Sequence, residues 1–114
     1  MNPYDPTSTP VLDFDAPVTG EPCTALVSGL TAKEEAYVVD KGGDVGQMTT
    51  IYLISQYGLR GINGPIEWID RVSHIPGGRR IVADSVLDRL PRKVRGQIFA
   101  AVKDATWGGM GLEG

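Results

Sequence analysis

The chain has 114 residues, 41% of them hydrophobic and 22% charged, with a formal net charge of -3 and a pI near 5.0. That is enough for one soluble globular unit with a modest core. The single cysteine, Cys23, excludes an internal disulfide, and apolar runs such as Ile51–Ile54 are far too short to span a bilayer.

Met1–Pro10 is polar, holds Pro3, Pro6 and Pro10, and reads as a flexible arm without a secretory signal pattern. Residues 11–107 are expected to form one globular domain. Val11–Phe14 and Cys23–Ser28 alternate apolar and polar residues around a Pro/Gly-rich turn, which predicts a β-hairpin. Thr31 and Glu34 have capping-box spacing for a helix from Ala32 to about Lys41, with Ala36, Val39 and Tyr37 inward and Gly42-Gly43 as its stop.

Asp44 and Gln47 repeat the capping-box spacing ahead of a helix from Val45 to Tyr57. Val45, Met48, Ile51, Tyr52 and Ser55 share one face, and this reads as the most buried helix. Leu59–Gly64 reads as a turn. Pro65 then opens a short helix with Ile66, Ile69, Val72 and Ser73 inward, ended by Pro76-Gly77-Gly78. Asp84 caps a short helix through Leu90. Pro91 opens a last one with Val94, Ile98, Ala101 and Val102 inward, before a loose glycine-rich tail at residues 108–114. The fold class is therefore α+β, mainly α: an N-terminal β-hairpin followed by four or five short helices.

Candidate chemistry is sparse. His74 is the only histidine, so any His-dependent acid–base pair must use it, and no local pattern supplies it with a nucleophile. One His and one Cys do not make a zinc site. Cys23 in a strand behaves as a small buried hydrophobe. Gly42-Gly43-Asp44-Val45-Gly46 lacks the lysine and Ser/Thr of a phosphate loop and follows a helix where a strand is needed. Asp13 and Asp15 share a strand face but read as charges protecting a sheet edge. No catalytic residue, metal site or cofactor is expected, and the chain is not expected to be an enzyme.

Binding features stand out more. Residues 1–57 hold two Lys and eight acids, and residues 58–114 hold nine Lys or Arg and six acids, so the halves carry -6 and +3. That split suits head-to-tail contact between copies in a homo-oligomer, or docking on a charged partner. Arg92, Lys93 and Arg95 form a basic helix start, but flanking acids and the lack of interleaved aromatics argue against nucleic acid. Trp107, Met110 and Leu112 are apolar anchors beside the glycine tail. These six residues are the candidate partner-binding set.

In order and phrasing the chain resembles the tail assembly chaperones of long-tailed bacteriophages. A hairpin leads into Val27-Ser28-Gly29-Leu30-Thr31-Ala32-Lys33-Glu34, an apolar helix ends in Gly58-Leu59-Arg60-Gly61, and Leu87-Asp88-Arg89-Leu90-Pro91-Arg92-Lys93-Val94 precedes a closing amphipathic helix. The similarity spans roughly residues 11–107, with nothing matched in Asn63–Asp84. It implies a phage protein of the host cell cytoplasm that coats the tape measure protein and recruits tail tube subunits, without catalysis. The competing expectation is a small phage inhibitor of a host defence complex, of the anti-CRISPR type, which the acidic first half suits. A small DNA-binding regulator using Pro91–Lys103 is the third.

Overall fold

In a computed structural model that describes residues 9–108, with side chains from Leu12 onward, the hairpin forms where alternation predicts it. Strand β1 (Thr9–Asp15) pairs antiparallel with β2 (Pro22–Val27), and Asp13 lies opposite Thr24, whose hydroxyl donates to the Asp13 carboxylate at 2.8 Å. Cys23, Ala25 and Val27 alternate along β2 into the core, as a half-buried strand requires. Thr9 and Pro10, expected in the flexible arm at residues 1–10, belong to β1 because they pair with Val27 and Leu26, and Gly108, expected in the tail at residues 108–114, caps α4; the rest of both segments lies outside the described residues.

Helix α1 (Ala32–Val45) starts with the predicted capping box: the Glu34 amide donates to the Thr31 hydroxyl, and the Thr31 amide donates to the Glu34 carboxylate. Its inward face differs from the expected one. Glu34, Val38 and Gly42 are buried, whereas Ala36 and Val39 are exposed and Tyr37 is half-buried. The cause is Glu34 itself. Its carboxylate binds Arg79 inside the protein, and that anchor sets the phase of the helix.

Gly42-Gly43 does not stop α1. The helix runs through both glycines to Val45, and Gly46 ends it. An added Cβ on Gly42 would lie 1.7 Å from the Thr50 hydroxyl, so Gly42 lets α1 meet the next helix closely. Gly46, at φ 143°, is both the C-cap of α1 and the N-cap of α2 (Gln47–Gly58). Asp44 is therefore inside α1, and the second capping box does not form.

Leu59–Asn63, expected as a turn, is strand β3, which pairs antiparallel with β2 to complete a sheet of order β1-β2-β3. Leu59 and Ile62 bury apolar side chains in the core, and that burial outweighs the turn signal of the glycines. The helix expected after Pro65 is also absent. Its place is taken by irregular chain and a two-stranded ribbon, β4 (Asp70–Arg71) with β5 (Ile81–Val82). The Ala83 amide donates to the Ile69 carbonyl, and Arg80 binds the Asp70 carboxylate at 2.8 Å. Those cross-chain bonds, on a β-branched segment, win over the local helix signal. Val72, expected inside, is 67% exposed.

Helix α3 (Asp84–Arg89) leads to α4 (Arg92–Trp107), with Pro91 as N-cap. Val94, Ile98 and Val102 are buried with Ala101 beside them, as their spacing predicts. A Cβ on Gly58 would sit 2.3 Å from both Val102 methyls, so the end of α2 crosses α4 at this glycine. The α+β, mainly α architecture, a hairpin followed by four helices, agrees with the sequence expectation.

Candidate functional site

The residues with reactive chemistry are placed structurally. Cys23 is buried, its thiol donates to the Glu21 carbonyl at 3.6 Å, and burial followed by the Glu21 and Asp15 charges raises its pKa. The exposed His74 ring stacks on Tyr37 at 6.2 Å. Among the described residues, no group of three or more His, Cys, Asp or Glu is placed to hold a metal ion. No helix among them is long and apolar enough to cross a membrane.

Most of the arginines are already engaged. Arg79 grips Glu34 with two hydrogen bonds of 2.8 Å and also donates to the Gly29 carbonyl at 3.0 Å. Glu34 is 2% exposed, so this bidentate pair ties α1 to the segment before β5 in a setting where solvent screens little. Arg60 is fully buried and donates to the carbonyls of Tyr57 and Arg80. Arg71, Arg80 and Arg89 meet Asp84, Asp70 and Glu67. Gln56, also buried, donates to the Val82 carbonyl and to Asp84.

What remains open is a groove between α2 and α4, lined also by Leu87 of α3, with a volume of about 650 Å³. Helix α2 lines it with Met48, Ile51, Tyr52 and Ser55, and α4 with Arg92, Arg95, Gly96 and Phe99. Met48 is 70% exposed, while Tyr52 and Phe99 are half-buried against the core. Tyr52 has its pKa pushed up to about 12, first by burial, then by the Asp84 and Asp88 charges and a hydrogen bond to Asp84, against a smaller opposing effect of Arg71. A second concavity of about 450 Å³ lies between the hairpin tip at Pro17–Thr19 and Pro65–Glu67, beside an Arg89 already paired with Glu67.

The α2 face expected to be the most buried is thus the groove wall. Met48, Ile51 and Tyr52 do share a face, as their spacing predicts, but burial is complete only from Ile54 to Gly58.

Of the six candidate binding residues, Arg92 and Arg95 line the groove and Lys93 is exposed next to them. Trp107 is half-buried on the core, its indole N–H donating to the Glu35 carboxylate at 2.9 Å, so it anchors α4 to α1. Met110 and Leu112 lie outside the described residues. Met48, Gly96 and Phe99 were not singled out as binding residues. The signal for Gly96 was in the sequence as a glycine in mid-helix, and the signal for Met48 was indistinguishable from that of a core residue. No family model matches the chain, and neither a curated protein nor a solved structure is significantly similar to it.

Proposed function

We propose that this chain is a non-catalytic protein-binding factor of the phage tail assembly chaperone kind, and that the α2–α4 groove receives a helical segment of its partner. The observation that carries the reading is the groove: an apolar wall exposed on one helix, faced on another by two cations with no carboxylate partner among the described residues. Exposed apolar surface in a concave, helix-walled site suits an amphipathic helix laid between the two walls. The resemblance of residues 11–107 to tail chaperones points to the tape measure protein, with tail tube subunits recruited afterwards, in the cytoplasm of the infected host cell.

The test is co-expression with fragments of a phage tape measure protein, followed by affinity capture. The wild-type chain retains a helical fragment, and Met48→Asp loses it while keeping its urea midpoint. Equal retention by Met48→Asp removes the groove from the reading. Capture of a host nuclease complex in place of every tail protein overturns the chaperone assignment.

A further inference from the structure

The groove contains more information than its apolar wall. Helix α4 has a glycine, Gly96, in its interior and facing the groove, and a Cβ built there meets nothing within 4 Å. A mid-helix glycine costs about 0.5–1 kcal/mol relative to alanine. Gly42 and Gly58 repay that cost within the fold, because Thr50 and Val102 occupy the space a side chain would need. Gly96 has no such neighbour. What a bare stretch of helix provides is close approach of a second backbone.

The charges give the chemistry of that second backbone. Arg71, Arg79, Arg80 and Arg89 each meet a carboxylate. Arg92 and Arg95 meet none among the described residues, and both stand on the groove one turn apart. The Nε of Arg95 is shielded from solvent and has no acceptor among the described residues. A buried donor left unmatched costs about 1–3 kcal/mol, which an incoming acceptor recovers. Among the described residues no acidic side chain lines the groove, although Asp84 and Asp88 act on Tyr52 at its wall, and the α4 N-terminus, which has no side-chain cap, adds partial positive charge.

We propose that the occupant of the groove is an acidic amphipathic helix of a partner protein. Its small and apolar residues cross Gly96 and pack on Met48, Ile51 and Phe99, and carboxylates one turn apart pair with Arg92 and Arg95. This deepens the preceding proposal and rests on its reading of the groove as a protein-binding site.

The experiment titrates the full-length chain with three fluorescent synthetic helices of about 18 residues, five turns. All carry the same Leu/Ala stripe, flanked by Glu in one, Gln in the second and Lys in the third. The expected order is Glu tightest, Gln at least about tenfold weaker and Lys weakest, with affinity for the Glu helix falling as salt rises. The double variant Arg92→Glu with Arg95→Glu reverses the preference to the Lys helix, a gain that damage to the fold cannot produce.

Equal affinity for the Glu and Gln helices overturns the acidic assignment and leaves the groove reading standing. Binding of the Glu helix with no capture of any tail protein leaves this inference standing and removes the chaperone assignment. Binding of none of the three overturns both the inference and the groove. Preferential binding of duplex DNA, or a self-association that the Glu helix cannot displace, overturns the proposed occupant.

Discussion

The two ends of α2 are similar in composition and opposite in fate. From Ile54 to Gly58 every residue is buried, the Gln56 amide is bonded to Val82 and Asp84, and Gly58 lies against Val102 without room for a methyl group. Toward Gln47, Met48 is 70% exposed and Ile51 and Tyr52 border an unfilled groove. The arginines divide in the same way: Arg79 is bonded to a buried carboxylate, while the exposed Arg92 and the half-buried Arg95 border the groove with no carboxylate to pair with among the described residues. A sealed end stabilises the fold. An open end with unmatched donors is the part of the surface where a partner has the most to contribute.

Three measurements sharpen or break that contrast. The largest effect belongs to the sealed region. Glu34→Gln removes the buried carboxylate charge that Arg79 binds, and a loss of about 3 kcal/mol is expected, read from urea unfolding. A loss below about 1 kcal/mol would make the pair no better than a surface bridge.

Gly96→Ala acts in the open region and with opposite sign. It raises stability by about 0.5–1 kcal/mol, because helix propensity improves and the new methyl meets no neighbour, while it weakens binding of an acidic helix. A variant that is more stable and binds unchanged would show that the partner keeps its distance from Gly96.

The smallest effect is confined to alkaline pH. The folded-state pKa of Tyr52 is about 12, above its ordinary value of about 10, so the unfolded chain releases this proton first. The associated stability is complete below about pH 10 and is lost as pH rises toward 12. The same direction holds for Tyr57, whose pKa burial also raises. Tyr52→Phe therefore flattens part of the decline in urea midpoint between about pH 10 and pH 12, and an unchanged slope would refute the burial of its hydroxyl.

Local signals were legible where they agreed with packing. Alternation placed the hairpin, the Thr31/Glu34 spacing placed the start of α1, and the spacing of Val94, Ile98 and Val102 placed the inner face of α4. They failed where a distant residue decided the outcome. Glu34 looked like a solvated cap, and only Arg79, forty-five positions away, turns it inward and rotates α1 with it. Gly42 looked like a stop, and only Thr50 explains its absence of a side chain. Leu59–Asn63 looked like a turn because its partner strand lies far back at β2. The candidate site was half legible: Arg92 and Arg95 stood out as charge, but an apolar face carries no mark that says whether the core or a partner will cover it.

The corner at Gly46 has a consequence for how the gene can change. A single residue closes α1 and opens α2, with the Gly46 amide bonded to Gly42 and its carbonyl accepting from Thr50. At 3.6 residues per turn, one residue added to or deleted from α2 just beyond this corner advances the remaining helix by about 100°. Met48, Ile51 and Tyr52 would then swing away from α4, and the groove would lose its wall even if every side chain were kept. Insertions in the hairpin tip at Pro17–Thr19 carry no such penalty, since a surface turn absorbs extra length. Natural or engineered length variants of this chain should therefore cluster at that tip and avoid the helical corner.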